Sequence, residues 1–178
     1  GVEWLLRQRI EDDVIHATDA EFRAVAFFYQ HCIATIALCE AHVAGGAVEA
    51  WQAPIQSAVD YIHQHRNPYG CWRYQKWGGD NDVSATLWGT LAVLAARDAG
   101  FQGDCKMALQ YVASYLEEMT DASGRTGYET KGSFSARLSE AHASAFPADR
   151  GEALTAAALL MRFAMGQDPK SSPMISPG

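Results

Sequence analysis

Between positions 69 and 100 the chain reads YGCWRYQKWGGDNDVSATLWGTLAVLAARDAG. Tyr69, Trp72, Tyr74 and Trp77 are interleaved with Gly70, Gly78 and Gly79, two acids follow at Asp80 and Asp82, and a long apolar segment comes last. That order fits either the rim of a site or the joint between two helices. As a rim, Trp72, Tyr74, Trp77 and Trp88 would line a cavity, where their π faces would stabilise a carbocation or their bulk would hold an apolar ligand. Arg73 would stack on one of these rings or pair with Asp80 or Asp82. As a joint, Trp72 and Tyr74 plug the space between helices. The acids then lie where a helix N-terminus favours negative charge, and Asp82 caps free amides. A salt bridge from Arg73 would occupy the acids that chemistry needs.

Other chemistry-bearing residues are sparser. Cys39 and His42 are three apart and share a helix face, so both could reach one metal. Cys32 is two turns from Cys39, about 10 Å by helix rise, and cannot join them. His31 and His142 would have to be brought in by tertiary structure. With no CxxC pattern, Cys32, Cys39, Cys71 and Cys105 are more simply read as buried thiols acting as small hydrophobes. Neither a metal nor a cofactor is expected. The stretch from Ser123 to Tyr128 is glycine-rich but opens no strand–helix unit, so it is not a phosphate loop. No Ser-His-Asp spacing, HExxH or dinucleotide-binding pattern occurs.

The elements that must position these residues are helices. Apolar periodicity predicts them over 2–10, 21–44, 48–65, 82–99, 104–119 and 152–165. Asp19 lies near the start of the second, and Gly45-Gly46 and Gly100 stop the second and fourth. Pro54 falls inside the third, whose well-formed part is expected to begin near it. The first, third and fifth helices are amphipathic, whereas the second, fourth and sixth are apolar nearly all round. Three segments of the apolar set align without gaps: IATIALCEA from Ile33, SATLWGTLA from Ser84 and ALTAAALLM from Ala153. Thr35, Thr86 and Thr155 fall in register. Self-similarity at this spacing points to repeated helical hairpins, with buried inner helices wrapped by outer ones. The expected domain spans 1–167, with hairpins over about 2–45, 48–100 and 104–166. The segment 129–149 is a weakly patterned insertion that would form a lid, an extra helix or a loop. The Pro- and Ser-rich stretch 168–178 reads as a tail or linker.

Composition narrows the function class. The chain has 178 residues, enough for one domain with a real core, and a net charge of -7. That charge argues against nucleic acid or an anionic membrane as a partner. No apolar run reaches the ~20 residues of a membrane span. Cysteine usage leaves the compartment open.

The repeat resembles that of the prenyltransferase and squalene-cyclase family, whose fold is an α/α toroid. Family repeats pair an outer helix ending in aromatic-Leu with a Gly-x-Trp turn and an inner helix. Ala58 to Ile62 is similar to that helix end, and Asn67-Pro68-Tyr69-Gly70-Cys71-Trp72 to that turn, with Arg66 where the family has Gln. In the first repeat Asp13 and Ile15 stand where Gly and Trp would be. The third keeps Tyr115-Leu116 and a turn at Gly124 but has no tryptophan. GCWRY with the helix after it, and the closing RFAMGQDP, look most like bacterial repeat proteins without an assigned activity. The expected fold is therefore all-α, a toroid or partial toroid of about three hairpins.

The resemblance also frames the function. Class II cyclases of the group protonate an alkene with a DxDD acid at the start of an inner helix. On that analogy Asp80 and Asp82 are the catalytic acids, and Trp72, Arg73, Tyr74, Trp77 and Trp88 the ligand-binding set. Here the string is Asp80-Asn81-Asp82-Val83, so the last acid is missing. The Asp-x-Cys zinc signature of protein prenyltransferases is absent; Asp104 and Cys105 are adjacent instead. Loss of both signatures favours a non-catalytic repeat domain acting as a scaffold or binding module in a larger protein. An isoprenoid enzyme or apolar-ligand binder is the rival expectation. The partners expected are a protein or further repeats that complete a ring, or an apolar small molecule.

Overall fold

A computed structural model describes residues 1–10, 14–15, 27–68, 70–134, 139–147 and 152–168. Expectations that concern Asp13, Asp19, residues 21–26, Tyr69 and the tail from 169 onward lie outside that set. The helices are α1 (Val2–Arg7), α2 (Phe27–Ala44), α3 (Glu49–His65), α4 (Val83–Asp98), α5 (Cys105–Met119), α6 (Glu140–Ala145) and α7 (Ala153–Ala164). A minute antiparallel pair, β1 (Arg9–Ile10) with β2 (Val14–Ile15), lies between α1 and α2, with Arg9 opposite Ile15 and Ile10 opposite Val14. The fold is all-α.

The helices form two layers. The apolar helices α2, α4 and α7 lie side by side, with α4 in the middle. Amphipathic helices pack outside them: α1 on α2, α3 against both α2 and α4, and α5 on α4. The alternation in the sequence is thus an alternation of layers. One core cluster joins Phe28 and Cys32 of α2, Trp72, Val93 of α4, Val112 and Leu116 of α5, and Met161 of α7. A second joins Leu38 and Cys39 of α2 to Ile55 and Val59 of α3 and Ala96 of α4, with Leu5 and Leu6 of α1 packed against it. Among the described residues, no helix is long and apolar enough to cross a membrane.

The hairpins repeat in hydrogen-bond detail. In the turn before α4, Asn67 N–H donates to Cys71 O and Gly70 N–H to Asn67 O. In the turn after α5, Asp121 N–H donates to Arg125 O and Gly124 N–H to Asp121 O. The next backbone N–H in each turn, that of Trp72 or of Thr126, donates to the hydroxyl of the aligned threonine, Thr86 at 3.4 Å or Thr155 at 3.2 Å. The inner helices also end alike. Gly46, Gly100 and Gly166 follow α2, α4 and α7 with φ of 77°, 83° and 84°, a conformation that glycine adopts without the steric cost of a Cβ. In each case the next residue's N–H reaches back into the last turn: Ala47 to His42 O, Phe101 to Ala96 O, Gln167 to Arg162 O.

Two expectations need correction, and a third resolves among its alternatives. The first helix stops at Arg7 rather than at position 10, because Arg9 and Ile10 enter the strand pair. The third helix begins at Glu49, ahead of Pro54, which sits inside it. Pro54 removes one backbone bond near the helix start, where few are yet made. Trp51 holds the preceding turn by packing on the second core cluster and donating from Nε1 to Glu3 at 2.9 Å. Of the three forms considered for the insertion, the described part holds an extra helix: α6, capped by Ser139 accepting from His142 N–H at 3.1 Å, with no buried residue.

Candidate functional site

The aromatic turn leads from α3 into α4, and its geometry is that of a joint closed by a fully buried Trp72. The indole Nε1–H donates to Ile62 O at 2.9 Å, tying the turn back to the end of α3. Its ring lies flat against α4 at Gly89, where an added Cβ would come within 2.6 Å of the indole. Beneath the turn, Asn81 Oδ1 accepts from Cys71 N–H at 2.9 Å and from Asn67 Nδ2 at 3.0 Å. Indole, asparagine clamp and glycine together fix where α4 begins.

Asp82 stands at that beginning as the helix N-cap. It has no exposed surface. One oxygen, Oδ1, accepts from Ala85 N–H at 2.7 Å, while Oδ2 has no hydrogen-bond partner. Burial pushes the carboxyl up to about 6, opposed by the hydrogen bond from Ala85 and the charge of Arg73. The neighbouring helix amide of Val83 donates to Tyr128 O at 3.1 Å, so the turn after α5 closes the same helix end.

Asp80 and Arg73 lie nearer the surface. Asp80 is 63% exposed and pairs with Arg73 Nη1 at 2.7 Å. The other guanidinium nitrogen, Nη2, pairs with Glu129 of the insertion. Arg73 therefore spends its charge on two carboxylates and lies 5.7 Å from the Tyr74 ring centroid. Of the remaining rings, Tyr74 is half-buried and shares a hydroxyl–hydroxyl hydrogen bond with Tyr128. Trp77 is turned out to solvent with Lys76 over its face at 4.9 Å. Trp88 is half-buried on α4 and packs against the main core. The turn thus brings Asp82, Trp72, Tyr74 and Arg73 together, and leaves Asp80 and Trp77 at the surface.

Several residues near Asp82 escaped the sequence reading. Tyr29 of α2 donates its hydroxyl to Ser84 Oγ at 3.1 Å and lies 5.8 Å from the Tyr74 ring. Tyr115 of α5 is almost wholly buried and its hydroxyl has no partner. Burial raises the phenols of Tyr29, Tyr115 and Tyr128, and the charge of Asp82 adds to the rise in all three. The available signal was a tyrosine on an otherwise apolar helix face, since a buried phenol usually finds a polar partner. Tyr29, Tyr74, Tyr115 and Tyr128 come from α2, the aromatic turn, α5 and the turn after α5, so no local window shows them together.

Of the cysteines, Cys32, Cys39 and Cys71 are buried and Cys105 is half-buried, and all four are free thiols. Burial pushes Cys39 and Cys71 up to about 12, far from the thiolate form that binds metal. Among the described residues, no group of three His, Cys, Asp or Glu side chains is placed to hold a metal ion. The arrangement around Asp82 can cap a helix, hold one proton more tightly than an exposed carboxyl does, and bury hydroxyls. In comparisons with known proteins, no family model, no curated protein and no solved structure matches the chain.

Proposed function

We propose that this chain is a binding or scaffold module built of helical hairpins, an arc of the prenyltransferase and squalene-cyclase type of toroid, with the aromatic turn as a joint. The observation that carries this reading is the commitment of both acids: Asp82 caps α4 and Asp80 is paired with Arg73. Protonating an unactivated alkene needs an unusually strong acid. Burial makes Asp82 a weaker one, with its carboxyl up to about 6. The binding side of the proposal draws on the inner layer, where Ile33 of α2 and Leu160 and Phe163 of α7 are each close to half exposed. Exposed apolar side chains on a layer that is otherwise core suit contact with a protein, with further hairpins that complete a ring, or with an apolar small molecule.

A second reading, isoprenoid processing with Asp82 as the acid, draws on the free Oδ2 and the tyrosines around it. The two are separated by incubating the protein, and its Asp82→Asn variant, with squalene and with a prenyl diphosphate, and analysing extracts by gas chromatography–mass spectrometry. The module reading expects no product from either protein. Product from the wild type that disappears in the variant overturns it.

A further inference from the structure

Where α3 runs into the aromatic turn, a histidine is held in a cage of rings. His65 is the last residue of α3 and is fully buried. Its ring stacks on Phe28 of α2 with centroids 4.5 Å apart and planes at 14°. It meets Phe27 edge-on at 5.6 Å and Tyr61 of α3 at 5.5 Å. Nε2 lies 3.1 Å from Arg73 O in the turn, and Nδ1 has no hydrogen-bond partner. A carbonyl accepts but cannot donate, so Nε2 carries the proton of the neutral ring and Nδ1 the lone pair. One side chain thus joins α2, α3 and the turn.

A second ring proton would sit on Nδ1 as a buried donor with nothing to accept it. The surrounding groups do not offset that charge. From α2 come Phe27 and Phe28, with His31 one ring further on, 4.7 Å from Tyr61 and with its Nε2 2.8 Å from Ala58 O. From α3 comes the Tyr61 phenol, while Arg66, next in the chain, is turned to Gly70 O. From the turn come the Arg73 carbonyl and the repelling charge of Lys76. The Arg73 guanidinium is itself taken up by Asp80 and Glu129. Burial, with Lys76 adding to it, outweighs the carbonyl and holds the ring down to about 4, against about 6.5 for an exposed histidine.

We propose that His65 is an acid-sensitive latch: a second ring proton drives it out of the ring cage and releases the aromatic turn from the first turn of α2. The opened chain binds that proton at about 6.5 and the closed joint only at about 4, so closure weakens as pH falls through that range. The freed carbonyl belongs to Arg73, so opening here also loosens the tie between Arg73 and Glu129. Asp82 at the start of α4 responds the other way, since folding binds a proton there between about 4 and about 6. The two groups oppose each other on the curve of the whole protein, and the latch is read from a variant that removes His65 alone. It operates whether Asp82 caps a helix or acts as an acid.

The test is urea unfolding of the full chain and of His65→Gln, whose amide keeps a donor and takes no proton, at about pH 7 and about pH 4.5. The ratio of the two unfolding constants is expected to move in favour of the variant by about fiftyfold between the two conditions. A histidine that only fills space costs the same at both. Amide hydrogen exchange, corrected for its intrinsic dependence on pH, locates the opening. In the wild type at the lower pH, the first turn of α2 and residues 71–73 are expected to lose protection before α7 does, and in the variant they keep it. Should His65→Gln fail to fold, the ring titration of the wild type labelled with ¹⁵N-histidine takes its place, with His65 assigned through its contacts to Phe28 and Tyr61. An unchanged ratio, a His65 ring that titrates like an exposed one, or an α7 that opens as readily as the turn overturns the proposal.

Discussion

At Asp82 a single carboxyl group is asked to do two incompatible things. Its Oδ1 caps α4, which favours the ionised form, and its burial disfavours that form. Burial wins, so the folded-state value of about 6 lies above the ~3.9 of an exposed aspartate. At this site the folded protein therefore binds more protons than the unfolded chain between those values, and the site's contribution to stability falls as pH rises from about 4 to about 6. Asparagine keeps the capping oxygen and carries no charge. Asp82→Asn is expected to leave stability near pH 4 little changed and to raise it at pH 7 by on the order of 2 kcal/mol. Urea unfolding at the two pH values measures this, and a variant that is less stable at pH 7 contradicts it. Of this residue the sequence shows the cap, because Asp two residues after Gly79-Asp80 and just before an apolar run is a helix-start signal. The burial is not visible there, since the backbone around it is held by Trp72 O, which accepts from Asp82 N–H, and by Tyr128 O, which accepts from Val83 N–H, from either side of it in the chain.

The four thiols make a second test at the same scale. Cys32, Cys39 and Cys71 are buried and held in the thiol form, and Cys105 alone is partly exposed. A thiol-specific chromogenic reagent should titrate one group in the native protein and all four in guanidinium chloride. Rapid reaction of more than one native thiol would show that the inner layer opens far more readily than its packing implies.

Among the elements, the joint between α3 and α4 depends on an indole and a glycine that match each other. Trp72→Ala removes a fully buried ring and is expected to cost about 3–5 kcal/mol. Gly89→Ala alone forces a methyl group against that ring and is expected to cost about 1–3 kcal/mol. In the Trp72→Ala background the same Gly89→Ala change should become stabilising, because the clash is gone and alanine is the better helix former by about 1 kcal/mol. Denaturant midpoints of the four proteins give the coupling, and simple additivity would mean that the ring and the glycine do not oppose each other. The turn itself is legible from Gly70 and Trp72. Its sister at Gly124 is legible only as a turn, because Thr126 carries the same backbone bond with no tryptophan to announce it. The third helix starts ahead of Pro54, where the local effect of proline yields to the long-range anchoring of Trp51 on Glu3.

For the whole molecule, the two layers follow from where the apolar residues lie. An inner helix that touches neighbours on both sides and outer helices on its back has little surface left for polar residues, which is why α4 reads as apolar all round. That much of the fold is readable from a pattern of single residues. What it does not give is which ends of the layers carry unmet polar groups. Asp82 at the start of α4 and His65 at the end of α3 are ordinary letters in the sequence, and become unusual only when the packing strips their partners away.

The joint also sets how much chain the architecture can carry. The same backbone bond from turn to inner-helix threonine closes over 14 residues between Trp72 and Thr86 and over 29 between Thr126 and Thr155. Each doubling of a flexible loop adds only about 0.6 kcal/mol of closure entropy. The connection between Thr126 and Thr155 is therefore a port: foreign sequence spliced beside the surface-lying α6 is expected to leave the urea midpoint of the protein little changed.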